Sequence, residues 1–480
     1  MRSNWDEQRK NLVMMRHVNK FGGVILATTV LALSAGSGAA ETLQEALVAA
    51  YSSNPTLQAE RARLRGTDEG VAQARSGWRP TITLSADYGQ SERRSASTRG
   101  FLGFGLPIVV TNKTYTEDYS TGAVMTQPLF RGFRTINSTK EAKARVRAGR
   151  ADLWTIEQQV LLDAVAAYRD VIRDGATIEL NENNVRVLQR QLEASEDRFR
   201  VGEITRTDVA QATARLSLSK SNLSQARAVL AESRARYQVV IGQAPGSLDA
   251  IMPLPNLPAG LKTAIALALD NNPGLISARE NEEAAKYSVS VQKGGLLPSV
   301  NIQVQYRQNE ETARKKTQST NYSVAAQASL PLYQGGAQYS RIRQAKEGYS
   351  QARIQVAERR RAVIGSTTTA WENLVAATAT IESDKEQVRA NEIAFDGVQQ
   401  EAQVGSRTTL DVLDAEQELL NAQVALVRSQ REEFVAAYQL LSAVGTLTAE
   451  DLGLPVDLYD PEVNYEAVDG KWIGFGTTSD

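Results

Sequence analysis

Between Arg134 and Arg200 the apolar positions fall at Leu153, Ile156, Val160, Ala164, Ala167, Val171, Ile178, Val185, Leu188, Leu192 and Phe199. The steps are threes, fours and sevens, and no proline interrupts them. A period close to 3.5 predicts a single helix over 134–200, about 100 Å long. A second proline-free run predicts its counterpart over 337–402. Shorter helices are predicted at 206–241 and 409–443, after each long one, and at 55–76 and 273–294. The pattern changes after Pro80. Ile82, Leu84, Ala86 and Tyr88 alternate with Thr81, Thr83, Ser85 and Asp87, and Val300, Ile302, Val304 and Tyr306 do the same after Pro298. Strict period two predicts strands. Second strands at 117–128 and 320–331 make each pair a hairpin, with strands near 10–12 residues, the length of a tilted bilayer crossing.

These elements occur twice. Asn54-Pro55-Thr56-Leu57 returns as Asn272-Pro273-Gly274-Leu275, Pro128-Leu129-Phe130-Arg131-Gly132 as Pro331-Leu332-Tyr333-Gln334-Gly335, and Val201-Gly202 through Asp208 as Val404-Gly405 through Asp411. The chain divides into a signal peptide (1–40), a first repeat (41–250), a proline-rich linker (251–260), a second repeat (261–450) and a tail (451–480). Within the repeats the hairpins occupy 80–130 and 298–332, and the turns that close the long helices 201–208 and 403–414. About 15 extra residues lie in the first hairpin. They include the apolar stretch Phe101–Val110, which suits a loop over a pore mouth, a lipopolysaccharide or receptor contact, or an extended strand pair.

Composition narrows the chemistry. The 480 residues contain no cysteine and one histidine, His17. Arg16 and Lys20, the apolar run Val24–Ala35 and the small residues ending at Ala40 have the order of a secretory signal, with Met14 or Met15 as alternative starts. With His17 removed, no His-dependent triad and no Cys- or His-ligated metal site is available. No glycine-rich phosphate loop is present either, so an enzyme is not expected and no cofactor is implied. Net charge is −1. Residues 1–40 hold five Lys/Arg and two Asp/Glu, so the remainder carries −4, which gives no support to nucleic-acid binding. No later run is apolar enough for a transmembrane helix. One apolar and one polar strand face fit either a two-sided soluble sheet or a membrane barrel. Tyr88, Tyr119, Tyr306 and Tyr322 are candidate interfacial girdle residues, with ordinary strand tyrosines as the alternative. Four strands cannot close a membrane barrel, and lipid-embedded strands leave no open edge, so a barrel requires several copies of the chain.

The duplicated helix–hairpin–helix unit, the paired NPxL starts and the two VG-x5-D turns resemble the TolC family of outer-membrane efflux ducts over roughly 42–450. The resemblance implies a mostly helical fold with a small β part. It implies a homotrimer whose twelve-strand outer-membrane β-barrel continues into a twelve-helix periplasmic α-barrel. It implies a periplasmic adaptor and an inner-membrane pump or ABC transporter as partners, outer-membrane lipid around the barrel, and export of drugs, detergents or unfolded proteins. By the same resemblance the periplasmic tip is a gate. Thr207 and Asp208 match the acceptor side of its closing network, Arg407 the basic partner, and Asp411 and Asp414 two pore-lining aspartates. A tyrosine of that network falls at Ala402, which removes one constraint on the closed state.

The residues themselves offer a second reading of the tip. Asp208 and Asp411 lie in the first turn of a helix, where carboxylates suit the positive dipole end, and Thr205 or Thr207 and Thr408 or Thr409 suit N-caps. Asp411 and Asp414 share a helix face. Gathered by threefold symmetry, six such carboxylates would repel one another and raise some of their pKa values. Gly202 and Gly405 suit left-handed turns that end the long helices. The competing functional classes are a trimeric coiled-coil surface stalk, which has no use for matched hairpins, and a periplasmic adaptor, which needs a β-rich domain not seen here. In a duct fold the tail wraps the helical barrel or stays disordered.

Overall fold

The structure, a computed structural model, describes residues 40–101, 107–311 and 317–477, with side chains for all of these except 99–101, 107, 108, 311 and 317. Residues 1–39, including His17 and all but the last residue of the signal segment, lie outside the described residues, as do 102–106 of the apolar stretch in the first hairpin.

The elements run α1 (Leu43–Ser53), α2 (Pro55–Arg75), β1 (Thr81–Phe101), β2 (Pro107–Arg131), α3 (Arg134–Arg200), α4 (Arg206–Ile241), α5 (Leu261–Asn271), α6 (Pro273–Gly294), β3 (Ser299–Glu311), β4 (Thr317–Ser329), α7 (Ala337–Gln403), α8 (Thr409–Val444) and α9 (Pro461–Asp469). Both long helices are 67 residues. α2 and α4 pack against α3, which also meets α6 and α8, and α7 lies beyond these, packed chiefly on α6 and α8. Burial follows that order. α3 buries 24 of its 67 residues, α7 only seven. α3 is thus an interior element, and α7 is an edge.

The NPxL motifs explain how the shorter helices line up. Asn54 Oδ1 caps α2 by accepting from Thr56 N at 2.9 Å, while its Nδ2 donates to Val240 O, at the end of α4, at 2.9 Å. Asn272 Oδ1 accepts from Leu275 N at 3.2 Å, and its Nδ2 donates to Ala443 O, at the end of α8, at 3.1 Å. One side chain thereby satisfies an orphan donor at one helix start and an orphan carbonyl at another helix end. Proline follows at N1, where its missing N–H costs nothing. α4 and α2 therefore stack end to end beside α3, as α8 and α6 do beside α7.

The largest core sits at this junction. Leu47, Tyr51, Leu57, Leu161, Tyr168, Tyr237, Ile241 and Leu447 are buried together there. Tyr168 donates to Glu41 O at 2.6 Å and Tyr237 to Glu41 Oε1 at 2.7 Å, and burial pushes the Tyr168 hydroxyl up to about 12. Next to it, Asp170 accepts from Arg173 at 2.9 Å and from Arg431 of α8 at 2.8 Å, while Asp174 accepts from Arg173 and from Ser233 of α4. This network ties three helices by charge where the stripe is otherwise apolar.

The four strands form one antiparallel sheet in the order β1-β2-β3-β4. No strand residue with a described side chain is buried. β1 and β2 have 21 and 25 residues against 13 each for β3 and β4, so the first hairpin exceeds the expected 10–12. The insertion lengthens the strand pair: Phe101 and 107–110 are strand. α1 and α5, absent from the expected elements, precede each Asn-Pro joint, and the tail carries α9. That tail docks on α2 and the segment after it through Asn464 Nδ2 to Asp68 Oδ2 (2.7 Å), Arg75 to Asp469 (2.6 Å) and Arg79 over the Trp472 ring (4.8 Å).

Candidate functional site

Two regions collect the candidate residues: the sheet at one end of the long helices and the two helix-joining turns at the other.

On the sheet, the register puts Ile82, Met125, Val304 and Val324 in one row of one face, and Leu84, Ala123, Tyr306 and Tyr322 in the next. Tyr88 and Tyr119 pair four residues further along β1 and β2. The Tyr306 and Tyr322 rings lie 5.0 Å apart. All four tyrosines share this face, at two levels of the sheet. Leu84 is 80% exposed and Val324 75%, so the apolar face has no cover among the described residues. The other face carries Thr83, Ser85 and Asp87 opposite Val124, Gly122 and Ser120. A sheet with apolar side chains on an open face and polar ones behind it has no core of its own, and it belongs in lipid. Among the described residues no helix is long and apolar enough to cross a membrane.

At the tip, α3 and α7 each end in a left-handed glycine. Gly202 has φ +81° and Gly405 +80°, and a β-carbon at either would meet nothing within 4 Å. Geometry alone, not crowding, selects glycine there. Each following helix opens with a capping box. Thr205 Oγ1 accepts from Asp208 N at 3.4 Å, and Asp208 Oδ2 accepts from Thr205 N at 2.8 Å. Thr408 Oγ1 accepts from Asp411 N at 3.2 Å, and Asp411 Oδ2 accepts from Thr408 N at 2.9 Å. The caps are therefore Thr205 and Thr408. Thr207 and Thr409 lie within the first turns. Thr207 is exposed, with no side-chain partner among the described residues.

These bonds hold the Asp208 and Asp411 carboxyls below the usual carboxylate range: Thr205 is the cause at Asp208, and Thr408 at Asp411. In the single chain this runs opposite to the raised values expected of a carboxylate ring. Arg407 Nε donates to Glu401 Oε2 of its own turn at 2.9 Å, and this pairing raises the guanidinium pKa. Within one chain Arg407 thus bonds Glu401 rather than Asp208. Asp414 is not a bare pore carboxylate: it pairs with Arg215 of α4, joining the α3–α4 and α7–α8 hairpins. Ala402 supplies only its carbonyl, which accepts from Gly405 N at 3.2 Å.

Behind the tip, Leu188, Leu192, Ala212, Leu216 and Leu413 form a small core. Glu416 of α8 is buried beside it and accepts from Asn184 Nδ2 at 3.4 Å, and burial raises its carboxyl pKa. Arg215, Glu401, Asn184 and Glu416 were absent from the expected site. Asn181 and Asn184 had a visible signal, since both fall on the apolar stripe between Ile178 and Leu188. Among the described residues no three His, Cys, Asp or Glu side chains group to hold a metal.

Comparison with known proteins agrees with this layout. The family model described as outer membrane efflux protein matches residues 46–243 and 264–446. The outer membrane efflux protein BepC of Brucella suis biovar 1 is 38% identical over 459 residues, covering 95% of this chain and 96% of BepC. The outer membrane protein TolC of Escherichia coli is 26% identical over 431 residues, covering 86% and 84%. The fold matches the crystal structure of the Campylobacter jejuni CmeC outer membrane channel with a TM-score of 0.73 at 16% identity, covering 89% of each chain. With a lipid-facing sheet at one end, a helical shaft behind it and a match along both repeats, the chain belongs to the outer membrane efflux protein family, resides in the outer membrane with its helices in the periplasm, and is a channel-forming protein rather than an enzyme.

Proposed function

We propose that three copies of the chain close into one exit duct. It conducts passively, it is gated at the periplasmic tip, and a periplasmic adaptor couples it to an inner-membrane pump or ABC transporter. Its cargo is small toxic compounds, proteins of type I secretion, or both. The observation that carries this reading is the pair of open edges. β1 and β4 end the sheet, and the α2–α4 flank and α7 end the helical arc. α7 leaves Tyr339, Ile354, Val375 and Ile393 exposed to solvent, and α4 does the same with Leu218 and Val239. One edge differs from the other, so the contact between copies is head-to-tail, and such contacts form a ring when they close. Lipid-embedded strands permit nothing else, because an open edge leaves unpaired backbone groups in hydrocarbon. Names among the relatives include both efflux and secretion: BepC is an outer membrane efflux protein and PrtF of Dickeya chrysanthemi a proteases secretion protein.

The test is single-channel conductance in planar bilayers, with wild type and Arg407→Ser side by side. A low wild-type conductance that rises in the variant supports the gated duct. Equal, high conductance of both rejects Arg407 as a gate residue, and folded protein that inserts without conducting rejects the duct in favour of a stalk.

A further inference from the structure

β1 and β2 stay paired well beyond the end of the second hairpin. β3 ends at Glu311, opposite Asp118 of β2. Past that level β1 and β2 continue as a two-stranded ribbon for nine pairs, from Gln90↔Glu117 to Thr98↔Val109, about 30 Å. Alternation carries the apolar face of Leu84 and Tyr88 on into Gln90, Glu92 and Arg94, opposite Glu117, Tyr115 and Lys113. Arg93 lies on the other face, with Ser85 and Asp87. Arg94 and Lys113 are direct cross-strand partners, a like-charge pair that destabilises a ribbon unless an anion lies between them. Arg94 bonds Glu92, whereas Lys113 has no acceptor among the described residues. Both are exposed, and Tyr115, 60% exposed, adjoins them on the same face.

Height identifies the anion. Arg94 is six residues past Tyr88, about 20 Å along the strand, or about 15 Å of height at the usual barrel tilt. The headgroup layer of an ordinary bilayer adds only about 5–8 Å per side. A phospholipid phosphate therefore lies too low, whereas a phosphate carried on a lipid-linked sugar stands at the right level. We propose that Arg94 and Lys113 clamp a sugar-borne phosphate of an outer-leaflet glycolipid, with the Tyr115 ring against the sugar. The proposal rests on reading Tyr88 and Tyr119 as the outer rim of the membrane-embedded strands.

The test uses the full protein extracted from its native membrane in mild detergent. After washing, retained phosphorylated glycolipid and phosphatidylglycerol are quantified by mass spectrometry for wild type, Arg94→Ser/Lys113→Ser and Arg93→Ser, and conductance confirms that each variant is assembled. Each cation near an anionic surface contributes about fivefold. The double variant is therefore expected to retain about twenty-five-fold less glycolipid, with phosphatidylglycerol unchanged and Arg93→Ser close to wild type. Glu92→Gln, which frees Arg94, is expected to retain more. Undiminished retention in the double variant overturns the clamp. A loss of about fivefold in Arg93→Ser, the same per cation as in the double variant, overturns it in favour of bulk charge, and displacement by millimolar inorganic phosphate overturns it in favour of a free-phosphate site. Folded protein that never conducts in bilayers would instead refute the membrane reading beneath the proposal.

Discussion

Removing Arg215 should loosen the tip more than the exposure of one ion pair suggests. Arg215 and Asp414 join α4 to α8, among the described residues the only ion pair between the two hairpins at this end, with side chains 32% and 53% exposed. At that exposure solvent screening limits a pair to about 0.3–1 kcal/mol. In the proposed trimer the pair occurs three times, and a concerted opening breaks all three. The closed state then loses about 1–3 kcal/mol in Arg215→Ser, which is about 5- to 150-fold in the open-to-closed ratio. The assay is open probability in planar bilayers at 0.1 M and 1 M salt. Because screening shortens from about 10 Å to about 3 Å over that range, wild type should approach the variant at high salt. Asp414→Asn should reproduce the effect, and the double variant should add little to either single one. If the two single effects simply add, or if Arg215→Ser conducts as wild type does while Arg407→Ser does not, the hairpins are not latched by this pair.

Two further perturbations probe the frame. Asn54→Ala removes an N-cap and leaves Val240 O without its side-chain donor, a loss of about 2 kcal/mol; amide hydrogen exchange at Thr56 and in the last turn of α4 should quicken about thirtyfold, and unchanged exchange would show that the joint is not held by this side chain. Glu416 has a folded pKa above its ordinary 4.5 because burial favours the neutral acid. Its contribution is therefore largest below that value and is lost as pH rises through the raised one. Asp208 and Asp411, with lowered values, contribute above their ordinary 3.8 and lose that contribution only in stronger acid. Protection of tip amides in wild type should thus grow as pH falls from 7 towards 4.5, and Glu416→Gln should be flat over that window; an identical slope in the variant would refute the assignment.

How much was legible in the chain follows from how strongly each segment is constrained. α3 showed as a long periodic run because a helix flanked by others keeps its stripe along its length, and α7 showed as its proline-free counterpart in the second repeat. β1 showed from Thr81 to Tyr88, where one face meets lipid. It was lost beyond Gly89, where GQSERRSAST is polar on both faces and alternation serves nothing. α1, α5 and α9, at 11, 11 and 9 residues, are too short to display a period of their own. The choice between Thr205 and Thr207 was decidable in principle, since a capping box needs its acid three residues on, and Asp208 stands three from Thr205 and one from Thr207. Arg215–Asp414 was not decidable, because it joins residues 199 apart in sequence whose helices meet only in the fold.

The Asn-Pro joints give the shaft an uneven mechanical character. α3 is an unbroken beam, and α4 and α2 beside it form a strut with a single articulation at Asn54 near the beam's midpoint. α7 has the same companion, articulated at Asn272. Twist imposed at the tip travels the whole beam but can be shed by the strut at that articulation, where two hydrogen bonds replace a turn of covalent helix. Slip between the helices therefore gathers in one plane. What reaches the strand-bearing half beyond that plane is then only what the two unbroken beams carry.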